Sequence, residues 1–586
     1  MSSSRSDGAD SGTADRPASA SRWRGVAPLA LLAAAGALLG ALPHLLAWVR
    51  TGDPAYIPDM DDLLYLAWSR AVVLRGADRL VDAVGPASGP LMHPWLLFVP
   101  PAGLARSLGL GMTGLGIVWR ALAGAGIALG LYAALRPALR SPRTAWVAAV
   151  LLTFDAGLLY GQPFAREAIL VTAPLRGGGA DLTAGVPHLM AHLRVVTPAL
   201  ALPFLLLHFG LTLRARAGGG RRSAVAAGVA FGLLFHAYFY FWTTALVGVA
   251  LAWLLDPKGR RTFATVGLVG LAVGLPAVLA NYGVKASTPP DWLARTGKFV
   301  PVGHFQELLL PKLQVAAWFL AGLAVFLRRR ELTHLWCFIG AGLALTNHQL
   351  VTGLQAENAH WLLATGVTTS LLLALLVAPG LEPGSGRPVP RAARAALVAL
   401  LVAQVGLGVY FRRLEGARSE ETVRWMGAYR AYRRDRPAFP IPPGSVVAGD
   451  GEFFFMGAAL EELYPLTGRL VDFSSRIEDE ELDERLMLNA FLLGFDRAKA
   501  RALAAGELAI SRDWWAAYQS RPGPADDGRR ARRGELIDRI WSDPRPLLGR
   551  YRVGHIVLPR SAPTGHLTGL ARPGPRGATW EHWLVP

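Results

Sequence analysis

The feature that most constrains this chain is a series of apolar runs, each long enough to cross a bilayer. A span needs about 20 mostly apolar residues. Runs of that kind lie near 26–49, 112–135, 144–160, 196–213, 223–240, 242–255, 262–281, 313–327, 332–347, 361–379 and 395–411. The expectation is therefore eleven transmembrane helices. Composition agrees: 52% of the 586 residues are hydrophobic and only 17% charged, whereas a soluble protein carries roughly a quarter charged residues. The first run is too long for a secretory signal, and no small-residue cleavage site leads out of it into a soluble domain. Residues 1–25, rich in Ser, Asp, Gly and Ala, read as a disordered tail.

Pro90–Leu110 is a twelfth apolar stretch, but it contains His93, Pro94, Pro100, Pro101 and Arg106. Internal prolines and an arginine suit an interfacial or re-entrant segment better than a lipid-facing span, and a helix here is expected to break at its middle. Topology provides an independent test. With this stretch kept on the outer side, the short basic loops all fall on one face: Arg136–Arg143, Arg214–Arg222, Lys258–Arg261, Arg328–Arg330 and Arg387–Arg394. Together with the N-terminal tail, that face holds twenty cations and six acids, a net of +14 out of the +18 of the whole chain. Cationic loops are retained in the cytoplasm. The excess of basic residues thus reports orientation rather than nucleic-acid binding, with the N-terminus inside and the C-terminus outside. Cys337, alone of its kind, excludes a disulfide framework and any cysteine-based zinc site.

The first outer loop, from Arg50 to about Gly111, opens with DPAYIPDMDDLLYLAW, which places Asp53, Asp59, Asp61 and Asp62 within ten residues. Pro58 can start a helix whose first turn carries Asp59 to Asp62, at the end where the dipole favours acids. Leu63, Leu66, Ala67 and Arg70 are spaced for an amphipathic helix on the membrane surface. Two readings stand: helix capping alone, or a site. Capping needs one carboxylate, and three in four residues repel one another unless a cation or substrate sits among them.

The second outer loop, about 161–195, contains Arg166, Glu167, Arg176, Asp181, His188, His192 and Arg194. His188 and His192 share one face of a helix, a ligand-like spacing that lacks a third ligand nearby. Asp155 lies just inside the preceding span, where an ionisable residue is a functional candidate unless paired with Arg166 or Arg120. Further outer segments carry Lys298, His304 and Glu307, then Gln355, Glu357, Asn358, His360 and Trp361. The last group is dense in hydrogen-bonding side chains between apolar spans and is expected to line a cavity.

Residues 412–586 have soluble composition. Ser445–Glu452 reads as a short buried strand ending in a turn, Val471-Asp-Phe as a second strand, and His555–Pro559 as a third after Leu547–Val553. Helical patterns occupy 478–505 and 529–541. The expected fold is thus a polytopic α-helical membrane protein of about eleven spans over 26–411 with a long first outer loop. An extracytoplasmic α/β or α+β domain over 412–586 follows.

This arrangement resembles the GT-C superfamily of membrane glycosyltransferases, which use lipid-phosphate-linked sugars; among them are protein O-mannosyltransferases, aminoarabinose transferases and oligosaccharyltransferases. The resemblance rests on a cytoplasmic N-terminus, the acids Asp59, Asp61 and Asp62 after the first span, and LMHPWLL at 91–97. VVAGD at 446–450 and RYRVGHIVLP at 550–559 add to it. It makes Asp155 or Glu167 the second acid of the family's pattern. It implies a polyprenyl-phosphate-linked sugar donor, a protein, lipid or glycan acceptor, a bacterial plasma-membrane location if the source is bacterial, and no nucleic acid. On that reading one of Asp59, Asp61 and Asp62 is the catalytic base. Asp155, Arg166, Glu167, His188, His192, Arg194, Lys298, Glu357, Asn358 and His360 are candidates to bind substrate, the arginines and Lys298 through phosphate. The second-loop acidic pattern of metal-dependent members is not clear here; no cofactor is implied with certainty, and a divalent metal is left open. Two other readings stand beside it. A transporter or flippase of a lipid-linked or envelope component predicts ionisable groups at span centres and inverted repeats. The other is a non-catalytic membrane scaffold of the same layout whose outer domain binds a partner, against which the acid cluster argues.

Overall fold

The computed structural model describes residues 18–82, 84, 95–155, 191–194, 196–286, 300–301, 303–304, 312–356, 359–382, 390–418, 420–472, 474, 476–505 and 524–586. Arg166, Glu167, His188, Lys298, Glu357 and Asn358 lie outside these residues. Among them the first part of the chain is helical. It starts with α1 (Ala18–Thr51), α2 (Met60–Arg75), α3 (Trp95–Ser107), α4 (Gly111–Leu135) and α5 (Pro142–Thr153). Then come α6 (Leu202–Arg214), α7 (Gly220–Phe235), α8 (Phe239–Leu255) and α9 (Arg260–Ala286). The series ends with α10 (Lys312–Arg328), α11 (Thr333–Leu345), α12 (Ala359–Val377) and α13 (Arg391–Arg418). Each expected span overlaps one or more of these helices, 144–160 only as far as Thr153, with 156–160 outside the described residues. Five segments are long and apolar enough to cross a membrane: Gly25–Thr51, Gly111–Leu135, Val196–Phe235, Pro257–Gly283 and His360–Gly380. The chain is a polytopic helical membrane protein.

The first two long helices pack backbone to backbone. Gly36 and Gly40 on α1 face Gly124 and the Arg120 carbonyl on α4, and a Cβ at any of the three glycines would collide with the opposite carbonyl. Small residues four apart allow such close approach, which drives helix association where lipid removes the hydrophobic contribution. Pro43 leaves the Leu39 carbonyl of α1 without its helical donor. Arg412, buried near the end of α13, donates to that carbonyl at 3.3 Å and to the Gly40 carbonyl at 3.0 Å.

Two expectations for the first loop are corrected. The Pro90–Leu110 stretch does not break at its middle: α3 runs through Pro100 and Pro101. The thirteen described residues of this helix, at 1.5 Å each, reach about 20 Å, and residues 90–94 lie outside the described residues. The amphipathic helix is also not a surface helix with one free face. Helix α2 is buried on most sides, including Leu63, Leu64, Leu66, Ala67, Trp68, Ser69, Arg70 and Ala71. It is held between α3 and α4 on one side and the C-terminal domain on the other.

That domain begins with α14 (Glu420–Asp435), followed by β3 (Val446–Gly449), α15 (Gly451–Leu460) and β4 (Tyr464–Pro465). After α16 (Asp479–Leu492), α17 (Arg497–Ala505), α18 (Pro524–Ser542) and α19 (Arg545–Arg550), strands β5 (Val553–Pro559), β6 (Arg572–Arg576) and β7 (Trp580–Leu584) complete it. A separate two-stranded pairing joins β1 (Val300–Pro301) to β2 (Leu354–Gln355). The five-stranded sheet has order β4-β3-β5-β7-β6, parallel across β4-β3-β5 and antiparallel across β5-β7-β6. The expected strand at Val471 is instead part of a short helix, Arg469–Asp472. Leu547 and Leu548 turn inward from α19 rather than from a strand.

Candidate active site

Helix α2 starts at Met60, two residues beyond the Pro58 start that the sequence suggests. Asp59 is the N-cap, in extended geometry, and its Oδ1 accepts from the Asp62 backbone N–H at 3.0 Å. This is the bond an N-cap carboxylate supplies to a free helix-end donor. The adjacent residues Asp61 and Asp62 stand about 100° apart around the helix and face different partners.

Asp62 turns into the protein. Its Oδ2 receives the Arg120 Nη2 donor at 2.5 Å, with both side chains only 4% exposed. Arg120 also donates through Nη1 to His44 Nε2 at 3.2 Å. The His44 ring in turn donates from Nδ1 to the Pro54 carbonyl at 2.7 Å, an arrangement that requires the neutral Nδ1–H tautomer. Tyr56 covers the cluster, with its ring 5.2 Å from the guanidinium. A small cavity lined by Tyr56, Asp62, Leu66, Thr113 and Trp119 adjoins it. Asp62 Oδ1 and Trp119 Nε1 are buried there without a hydrogen-bond partner among the described residues. Burial pushes the Asp62 carboxyl up, and Arg120 opposes that rise.

Asp61 faces the other way, half-buried, and pairs with Arg194 Nη2 at 3.2 Å. One turn on, the Tyr65 hydroxyl shares a 2.9 Å hydrogen bond with Thr197 Oγ1. Arg194 lies within electrostatic reach of Asp61, Tyr65, Asp59 and Tyr238. Tyr238 is hydrogen-bonded to His360 Nδ1 at 2.5 Å, so the expected His360 joins the edge of this group. At Asp59, burial first, then the charges of Asp62 and Asp61, pushes the carboxyl well above the usual carboxylate range.

Asp155 and His192 are brought together in a second, smaller place. They line a cavity with Ile127, Leu152, Leu202 and Ser370. Asp155 Oδ1 accepts from Gln404 Nε2 at 3.3 Å, not from Arg120, whose partner is Asp62. His192 Nε2 donates to the Thr153 carbonyl at 3.1 Å, and burial pushes its imidazole down to about 4. Arg412 lies within electrostatic reach of both Asp62 and His192.

Several solved structures are similar to this chain. ArnT from Cupriavidus metallidurans bound to undecaprenyl phosphate is 11% identical, with 97% of this chain and 98% of that chain covered at a TM-score of 0.48. The oligosaccharyltransferase AglB from Archaeoglobus fulgidus, in complex with an inhibitory peptide and a dolichol-phosphate, is 13% identical over 92% of this chain and 70% of that one, at 0.44. An Archaeoglobus fulgidus oligosaccharyltransferase in the apo form is 12% identical over 91% of this chain and 69% of that one, at 0.47. No family model and no curated protein matches the chain.

The carboxylates do not converge as a metal-ligand set. Asp62 is engaged by Arg120, Asp61 by Arg194 and Asp59 by a backbone N–H. Among the described residues no group of three or more His, Cys, Asp or Glu is arranged to hold a metal ion. Several members of the site escaped the sequence reading. Arg120 was visible as a charge inside an apolar helix, though its partner was not. His44, Tyr65, Thr197 and Tyr238 carry no local signal.

Proposed function

We propose that this protein is an integral-membrane glycosyltransferase that moves a sugar from a polyprenyl-phosphate donor to an extracytoplasmic acceptor. One observation carries the reading. Where the first apolar helix gives way to its loop, a carboxyl with a raised proton affinity, Asp59, stands beside an Asp61–Arg194 ion pair that remains partly open. A donor whose phosphate is anchored in the bilayer by its lipid reaches that level without leaving the membrane.

The parts divide as follows. Arg194 exchanges Asp61 for the donor phosphate, because charge-assisted bonds to phosphate are strong and Arg presents a planar fork to them. Asp59 takes the proton of the acceptor hydroxyl. The acceptor oxygen bonds to the sugar's anomeric carbon as the bond from that carbon to the phosphate oxygen breaks. The electron pair stays on the phosphate, where Arg194 stabilises it. Asp62 does not react; its ion pair with Arg120 fixes the helix that carries the other two. His360 and Tyr238 border the side toward the sugar or acceptor.

Steady-state transfer from a polyprenyl-phosphate sugar by purified Arg194→Ala and Arg194→Lys variants tests this assignment. Loss of a charged hydrogen bond is worth about 1.5–3 kcal/mol, roughly 10- to 150-fold in kcat/KM. Lysine restores part of it. Wild-type kinetics in Arg194→Ala would remove phosphate binding from this residue.

A further inference from the structure

We propose that helix α14, the first helix beyond the last apolar span, is part of the carboxylate site, and that Glu421 is the positioning residue for the Asp59–Asp62 turn. The inference rests on the function proposed above and deepens it. The loop from Asp53 to Asp59 has no regular structure, and its two prolines supply no N–H. Its shape comes from side chains that hold it: Asp53 Oδ1 accepts from the Ala55 N–H and His44 donates to the Pro54 carbonyl at its start, and α14 holds the rest.

Thr422 Oγ1 donates to the Pro58 carbonyl at 3.1 Å. The Ile57 N–H donates to Met426 Sδ at 3.3 Å, and the Tyr429 hydroxyl donates to Asp53 Oδ2 at 2.8 Å. Residues 422, 426 and 429 recur at helical spacing, so a single face of α14 lies along the loop. At its end, Glu421 Oε1 accepts from the Met60 N–H at 3.2 Å. Met60 is the first residue of α2, and its N–H is one of the donors that a helix start leaves unpaired. The helix start is thus capped twice by carboxylates: Asp59 from its own chain segment, and Glu421 from 361 residues away. A negative group there also meets the positive end of the helix dipole. The contact fixes the direction in which Asp59 and Asp61 emerge, so its loss misdirects them without removing any reacting group.

The test uses the full-length protein in detergent, with Glu421→Ala, Glu421→Gln and Tyr429→Phe. Glutamine keeps an acceptor oxygen for Met60 and alanine does not. Hydrogen exchange across residues 53–62 is expected to rise in Glu421→Ala and Tyr429→Phe and to stay near wild type in Glu421→Gln. With a polyprenyl-phosphate sugar donor, Glu421→Ala is expected to lower kcat about tenfold with donor KM unchanged, and Glu421→Gln to restore it. Unchanged exchange over 53–62 in Glu421→Ala overturns the proposal. So does a Glu421→Gln variant as impaired as Glu421→Ala. If the unsubstituted protein transfers no sugar while exchange responds as stated, the positioning role stands and only the function reading falls.

Discussion

Replacing Arg120 by Met probes the deepest charge in the site. Asp62 and Arg120 are each 4% exposed and joined at 2.5 Å. Removing one partner of such a pair leaves a buried charge without compensation, which costs about 3–5 kcal/mol. The loss of the bond to His44 Nε2 adds to it, since that nitrogen then has no donor from Arg120. The protein can lower the cost by protonating Asp62, whose carboxyl burial already pushes up and which Arg120 foremost, with Arg412 behind it, holds back. The sign of the pH dependence follows. In Arg120→Met the folded state binds a proton that the unfolded chain, with an ordinary carboxyl near pH ~3.9, has already released. Stability of the variant therefore falls as pH rises from about 4 toward the elevated folded value. Thermal unfolding in detergent is the assay, at pH 5 and pH 7.5, on wild type, Arg120→Met and Arg120→Met/Asp62→Asn. The single variant is expected to melt lower at pH 7.5 than at pH 5. The double variant is expected to recover at least half of the loss and to be less sensitive to pH. Equal melting of Arg120→Met and wild type at both pH values would refute the reasoning, as would a double variant no better than the single.

Two further predictions concern the rest of the chain. In the C-terminal sheet His555 and His582 stack, with His555 Nδ1 and His582 Nε2 3.0 Å apart. Burial and then the other histidine push His582 down to about 4, and burial lowers His555. The unfolded chain thus takes up protons that the fold refuses, so stability is lost as pH falls from about 6.5 toward 4; melting curves of His582→Phe should show a flatter dependence over that window, and an unchanged slope would exclude the pair as its source. For orientation, single cysteines placed from Arg214 to Arg222 in a Cys337→Ser background should resist a membrane-impermeant thiol reagent added outside intact cells, whereas labelling there would reverse the proposed topology.

The helical layout was legible because burial in lipid writes itself into sequence as uninterrupted apolar length, and each expected run overlaps a helix. The N-terminal start of α2 was equally legible, since Pro58 and Asp59 act locally on their own backbone. What local pattern did not carry was the partner of each acid. Asp61 and Asp62 look alike in sequence, yet a turn of about 100° sends one to Arg194 and the other to Arg120. The pairing depends on how α1 and α4 pack through Gly36, Gly40 and Gly124, and on a helix that begins at Glu420. The amphipathic spacing of α2 was read as a membrane-surface face, although its second side is covered by the C-terminal domain. There Arg70 donates to the Ala458, Glu461 and Leu463 carbonyls, contacts nearly 400 residues distant in the chain. In the C-terminal domain, β5 was visible as a run of buried aliphatic residues. Strands β6 and β7 were not, being short and rich in Pro, Arg, Trp and His.

The central claim is that Asp59 accepts the proton during sugar transfer, and Asp59→Asn tests it most directly. Asparagine caps a helix as well as aspartate does, so α2 should keep its start and the protein its melting temperature, while the side chain loses its basicity. With purified protein, a polyprenyl-phosphate sugar and a cell-envelope acceptor, transfer by Asp59→Asn is expected to fall at least about 100-fold, the scale of general-base catalysis. Transfer at the wild-type rate by a correctly folded Asp59→Asn protein would contradict the account.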